Sequence, residues 1–328
     1  INHATYGHYP IHCAIGGIAI DPINALEIVR FLLDCDPNQK LKQHEGRSLL
    51  HCACGIEHND SNREAGIQII KILFNADPDS VRSVTDEGLM PLHTLCGNKK
   101  MDEAAAIHIL KLLIEKHPEA IRHADSGGGL PIHFAAGTKS PEFCRLLIEA
   151  YPGSEQIPDA NGLLPLHVAC AQNSLPTVEY LYRQYPDAIN HATTNGFYPI
   201  HNAISFERGR ETPAGAVEIV RFLLDCDPNQ KLKHHEGESL LHYACEGEYN
   251  DSNIEASIQI IKILFDAHPE AIENNRIVAD IQGFHHQVQT FINGESVYAR
   301  EAKDLRLMTT PDDHGQLPLH RALQNNVR

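Results

Sequence analysis

Along this chain apolar residues return at three- and four-residue intervals, in short bursts rather than one long run. Ile28, Phe31 and Leu32 form one burst, and Ile109, Leu112 and Leu113 form another. That spacing lays an apolar stripe along one face of an α-helix. The bursts stop just before a proline, at Pro37, Pro78, Pro118, Pro152, Pro186, Pro228 and Pro269, where proline acts as a stop signal. A shorter apolar segment such as Pro165–Ala171 precedes each burst. Several of these segments open on a proline (Pro10, Pro91, Pro131, Pro165, Pro199, Pro318), which suits a first helical turn because that turn has no use for the missing N–H. The pattern predicts an all-α chain of helix pairs, a short helix and then a longer one. Asp21-Pro22, Ser140-Pro141 and Thr212-Pro213 read as starts of second helices, and Ser61-x-x-Glu64 and Ser252-x-x-Glu255 as capping boxes.

The short segments share one core, centred on His12, His51, His93, His133, His167, His201, His242 and His320. A glycine stands five residues before each: Gly7, Gly46, Gly88, Gly128, Gly162, Gly196, Gly237 and Gly315. Ile or Leu directly precedes every histidine, and alanine follows two residues later except at Leu95. The glycine supplies the positive φ of a tight turn. The shortest histidine spacings, 34 residues, sit close to a period of 33 known for stacked helical repeats. Longer units carry their extra residues between the two helices, as at Glu57–Asn62 and Glu248–Asn253. A second periodicity is superposed. Residues 189–272 repeat 1–81 nearly verbatim, and EIVRFLLDCDPNQKLK begins at both Glu27 and Glu218. The His12 and His51 units thus recur five units later at His201 and His242, as if a block of five had been duplicated, which a stack tolerates because each unit touches only its neighbours.

The core Pro-Leu-His-x-Ala at Pro165–Ala169 and again at Pro318–Ala322 resembles the ankyrin repeat. The resemblance covers residues 1–272 and 311–328, and it implies an ankyrin-repeat α-solenoid. Residues 1–272 are then repeats 1–7. Residues 273–310 are a degenerate repeat, with Val288 in the histidine slot, or a helical insertion; the degenerate repeat is favoured. Residues 311–328 open a further repeat. In such a stack the eight motif histidines bridge backbone groups of adjacent turns and are structural. Two departures stand out. The family's threonine is Tyr, Ser, Met or Leu here, leaving a hydroxyl for the imidazole only at Ser48 and Ser239. The aspartate that opens the turn survives only as Asp125, Asp159 and Asp312, so the other turns are expected to have fewer side-chain hydrogen bonds. Partner contacts in the family come from residues flanking the turn glycine and from positions just past the first helix. Here these are Glu87, Leu89, Asn98, Asn161, Leu163, Gln172, Asn195, Phe197, Phe206, Glu236, Glu238, Glu246 and Gln316. Phe197 and Phe206 rank highest as rim anchors, although Phe206 packs equally well beneath its long loop.

The chain's 328 residues carry 27 Lys and Arg against 43 Asp and Glu, a net charge of −16. Such an acidic surface argues against nucleic acid and anionic membranes and weakly favours protein partners with basic surfaces. No apolar run approaches the roughly 20 residues that span a bilayer. Four of the nine cysteines, Cys54, Cys96, Cys170 and Cys245, share the position three after the histidine. They read as buried small hydrophobes in a reducing, intracellular compartment, cytoplasmic or nuclear. His44 with Glu45, His234-His235 with Glu236, and His285-His286 read as solvated tips rather than metal ligands, since no third ligand converges. Asn59-Asp60-Ser61 and Asn250-Asp251-Ser252 fit a glycosylation sequon and are read as capping segments. Glu57, Asp60 and Glu64, with Glu246, Glu248 and Asp251, form acidic loops, either solvated or a docking edge. Cysteine and histidine recurring in unit after unit argue against catalysis, and no nucleotide-binding glycine pattern stands in the chain. The expected function is a non-catalytic, monomeric protein–protein scaffold without metal or cofactor. The alternative is the recognition arm of a larger enzyme or receptor, since the chain opens in mid-pattern and reads as a window from a longer one.

Overall fold

A computed structural model describes residues 8–41, 43–57, 59, 61–172, 174–205, 213–235, 238–245, 254–268 and 289. Helices follow one another in short–long pairs: α1 (Pro10–Gly16) with α2 (Pro22–Cys35), α3 (Leu49–Cys54) with α4 (Arg63–Ala76), and α5 (Pro91–Gly97) with α6 (Glu103–Lys116). Next come α7 (Pro131–Ala136) with α8 (Pro141–Ala150), α9 (Pro165–Ala171) with α10 (Leu175–Gln184), α11 (Pro199–Ile204) with α12 (Pro213–Cys226), and α13 (Leu240–Cys245) with α14 (Ile254–Ala267). The chain divides into two compact units, Ile1–Ala203 and Ile204–Arg328. In the first, α1, α3, α5, α7 and α9 pack in succession as one layer, while α2, α4 and α6, and then α8 and α10, pack in succession as another. In the second, α14 packs on both α12 and α13. Helix α12 opens on Pro213, as expected of that start; Thr212, Ser252 of the second capping box, and residues 273–310 and 311–328, Gln289 excepted, lie outside the described residues.

The first helices begin where proline permits, at Pro10, Pro91, Pro131, Pro165 and Pro199. Three of the second helices, α2, α6 and α8, begin on capping side chains. The Asp21 carboxylate accepts from the Asn24 N–H, Asp102 from Ala105 and the Ser140 hydroxyl from Phe143. The expected box at Ser61 is not formed. Helix α4 starts one residue later with Asn62 at its N-cap. Asn59 takes the Ser61 hydroxyl on its Oδ1, and the buried Asn62 side chain accepts from the Asn59 N–H and donates to the Glu57 carbonyl. Two asparagines that hold the loop to itself compete better here than a Ser–Glu pair. The sequon segment therefore folds the loop on itself, and no side chain caps α4, unlike the capping expected of it.

The prolines that stop the second helices also begin something. Each of 37–41, 78–82, 118–122, 186–190 and 228–232 is a 3₁₀ turn opening on that proline. Beyond these turns two short antiparallel hairpins form. Strand β1 (Gln43–His44) pairs with β2 (Arg47–Ser48), and β3 (His234–His235) with β4 (Glu238–Ser239). Glu45 and Gly46 both have positive φ, 49° and 71°, which is the two-residue turn whose twist suits a hairpin.

The core lies between the layers. Leu50, Leu92, Ile132 and Leu166 fill it from the first helices, and Ile70, Leu110, Leu147 and Val178 from the second. Cys54, Cys96, Cys170 and Cys245 are all buried. The same slot holds Ile15, Ala136 and Ile204, so it asks for an apolar side chain and not for a thiol. Burial pushes the Cys54 thiol up to about 12, far from the thiolate that reaction or metal binding needs.

Candidate functional site

The turns between helix pairs are built alike. In each of four, the first residue's N–H donates to the carbonyl four residues on, as from Thr85 to Leu89, Asp125 to Gly129, Asp159 to Leu163 and Thr193 to Phe197. Asp125 Oδ1 accepts from the Gly127 and Gly129 N–H groups, and Asp159 Oδ1 from Asn161 and Leu163. Where aspartate is missing, a threonine hydroxyl stands in. Thr85 Oγ1 accepts from Leu89 N–H, and Thr193 Oγ1 from Phe197 N–H. These turns keep one side-chain bond rather than two, fewer as expected, through a residue that sequence reasoning passed over.

Successive turns are also tied to one another. The Ser126 N–H donates to the Glu87 carbonyl, Ala160 to Gly127, and Thr194 to Asn161, each at 2.9 Å. The ladder leaves no room for side chains at the turn glycine. At Gly162, whose φ is 79°, a Cβ would meet the Thr194 nitrogen at 2.8 Å. Beyond the ladder the tip residues Asp86, Glu87, Ser126, Ala160, Asn161, Thr194 and Asn195 stand exposed. Glu45 is exposed too, so the row is acidic at the Glu45–Glu87 end and neutral but polar farther on.

Behind the tips, four motif imidazoles link their first helix to the turn beyond. The backbone N–H three residues earlier donates to Nδ1 at His12, His51, His93, His133, His167 and His201. Nε2 reaches the carbonyl of Leu89 from His51, His123 from His93, Leu163 from His133 and His191 from His167, at 2.8 to 3.2 Å. An N–H can only donate and a carbonyl can only accept, so these four rings carry their proton on Nε2 and are neutral. Burial pushes His93 and His167 down to about 4, and it lowers His51 and His133. Ser48 Oγ lies 2.8 Å from His51 Nδ1, as expected. Ser239 Oγ instead accepts the backbone N–H of His242. His320 is outside the described residues.

The residues expected to meet a partner fall into three groups. Glu87, Asn161 and Asn195 are exposed and share the tip row. Leu89, Leu163 and Phe197 are half-buried behind it, with Phe197 edge-on to the His201 ring at 5.9 Å. Asn98 and Gln172 sit at the other end of the first helices. Gln172 is exposed and takes the Lys99 ammonium at 2.7 Å. Asn98 is a correction. It is 8 % exposed, and its amide donates to the Cys54 and Ile56 carbonyls, so it joins helix pairs rather than facing outward. Glu238 lies in β4 and is described by its backbone alone. Phe206, Glu236, Glu246 and Gln316 lie outside the described residues.

One row was missed. The position directly after the histidine holds Cys52, Thr94, Phe134, Val168 and Asn202, all half-buried on the solvent side of the first helices. Its signal was available: it varies freely in chemistry while its neighbours hold to Leu or Ile, His and Ala. At the loop edge Glu57 lies 3.9 Å from Lys100, and Glu64 accepts from Gln68, so local donors partly offset that acidic loop. Asp60, Glu246, Glu248 and Asp251 lie outside the described residues.

Among the described residues no group of three or more His, Cys, Asp or Glu side chains is arranged to hold a metal ion. No described helix is long and apolar enough to cross a membrane. A comparison with curated proteins gives no match. A family model described as "Ankyrin repeats (3 copies)" matches residues 101–195 and 166–277, more than half of the chain. With the paired helices, the stacked glycine turns and the imidazole bridges, that match makes this chain a member of the ankyrin-repeat family.

Proposed function

We propose that the chain is a non-catalytic, monomeric protein-binding scaffold that meets its partners with the turn tips and the outward side of the first helices. Ankyrin repeats are in general protein–protein interaction modules, and extended repeat surfaces bind through many moderate contacts with a few anchors. The observation that carries the reading is the ladder from Glu87 to Thr194. It spends the turn backbone inside the stack and leaves the side chains at the tips as the groups a partner can touch. Phe134 and Val168 supply apolar area behind a polar rim, the usual division of an interface. Glu45, Asp86 and Glu87 give one end of the row a negative field, which suits a basic partner and speeds its approach.

The test reverses that end. Glu45→Lys, Asp86→Lys and Glu87→Lys together change exposed side chains only, so thermal melting should stay put. Association with a captured basic partner, followed by surface plasmon resonance, should slow about tenfold or more at low salt and lose its salt dependence. Unchanged association in this variant and in a Phe134→Ala, Val168→Ala variant overturns the reading.

A further inference from the structure

The duplicated blocks share a feature on their second helices that neither the turns nor the first helices use. Between α2 and α4 lies a cleft of about 360 Å³, lined by Arg30, Leu33, Asp34, Pro37, Ile72 and Ala76. Between α12 and α14 lies another of about 360 Å³, lined by Arg221, Leu224, Asp225, Pro228, Ile263 and Ala267. All six residue types are the same. Each cleft sits wholly inside one of the two compact units.

The cleft has a local cause. The facing helix offers alanine at its last turn, so the space beside Leu33 stays open. At the corresponding place between α4 and α6, Phe74 and Lys116 occupy these positions, and the Lys116 ammonium reaches over the Phe74 ring at 6.0 Å. Arg30 and Asp34 stand one turn apart at the mouth, both exposed, and they are not bridged to each other, unlike Arg145 with Glu142 and Glu149 on α8. The mouth therefore offers a cation and an anion above an apolar floor.

The two blocks keep the cleft while residues around it have changed. From residue 27 to 42 and from 67 to 74 the copies are identical, exposed positions included. Between those stretches exposed residues have drifted: Gln43 has become His234, Arg47 has become Glu238 with its charge reversed, and Gly55 has become Glu246. Around the cleft wall Asn75 has become Asp266 and Asp77 has become His268, while the alanine between them is kept as Ala76 and Ala267. All six residues that line each cleft are thus the same in both copies.

We infer that each cleft is a docking site for a short peptide segment of a partner protein, one that seats an apolar side chain on the Leu–Ile–Ala floor and sets an acidic residue against Arg30 or Arg221 and a basic one against Asp34 or Asp225. The volume lies at the lower end of ligand sites, which are apolar with a few placed polar groups. The inference is independent of the tip surface, which lies on other residues.

The test uses the full chain and a panel of nine-residue synthetic peptides with a central Leu, Ile or Val flanked by Glu on one side and Arg on the other, in both orders. Gly-centred peptides are the control. Calorimetry should give two equivalent sites per chain. Ala76→Lys, which copies the native Lys116 at the equivalent place, should leave one, and Ala76→Lys with Ala267→Lys should leave none at an unchanged melting temperature. Should that double variant unfold, the exposed swaps Arg30→Glu with Asp34→Arg and Arg221→Glu with Asp225→Arg replace it. These should weaken the best peptide about tenfold or more and recover binding with its Glu and Arg exchanged. Two results overturn the inference: no peptide preferred over its Gly control, or binding that survives these substitutions.

Discussion

The imidazoles of His51, His93, His133 and His167 are each caught between a backbone N–H on one nitrogen and a carbonyl on the other, and protonation would set an N–H against an N–H. This makes the stack sensitive to acid. His93 and His167 are held neutral down to about 4, below the ordinary 6.5, so between those values the unfolded chain binds the extra proton. Their stabilisation is complete above pH 6.5 and is lost as pH falls from 6.5 toward 4, on the order of 3 kcal/mol for each ring. The urea midpoint should be flat from pH 8 to 6.5 and drop steeply by pH 5, and ¹⁵N spectra of the four bridging rings should show the proton on Nε2. A midpoint unchanged between pH 6.5 and 5 would contradict the bridging role. The histidines, the turn glycines and the buried cysteines could be read from the chain because repetition marks them. Thr85 and Thr193 could not, because a hydroxyl standing in for a carboxylate leaves no trace in spacing.

Helices and turns show where local signals suffice. Proline at the head of the short helices and after the long ones set both boundaries, since each depends on one residue's missing N–H and fixed φ. The 3₁₀ turns were not foreseen, because the proline that stops one helix is equally able to begin the next turn. Ser61 misled for a related reason: several Asn and Ser side chains within four residues compete for the same N–H groups, and only packing decides among them. Asn98 reads as a surface position until the chain is stacked and its amide meets two carbonyls from the neighbouring pair. The turn ladder gives a sharp comparison. Gly162→Ala meets both a positive φ and a backbone nitrogen at 2.8 Å, whereas Gly153→Ala meets a φ of 89° with open space around it. Denaturant unfolding should show Gly162→Ala costing about 2 kcal/mol or more, and Gly153→Ala roughly 1. Equal losses would mean that the turns do not stack as described.

For the molecule, net charge and repeat period said which broad class of partner to expect, but they could not say which faces are used. The tip row, the first-helix row and the twin clefts come into being only when units 34 to 42 residues apart are brought side by side. The duplicated text was visible at once, while the cleft within it depends on Ala76 facing Leu33 across two helices. The central claim, that partners meet the tips and first helices, is tested most directly by hydrogen–deuterium exchange of the intact chain, alone and saturated with a captured protein. Slower exchange is predicted at 86–89, 126–130, 160–164 and 194–198 and along α5, α7 and α9. Protection confined to the second helices, with the tips exchanging as in the free chain, would contradict it.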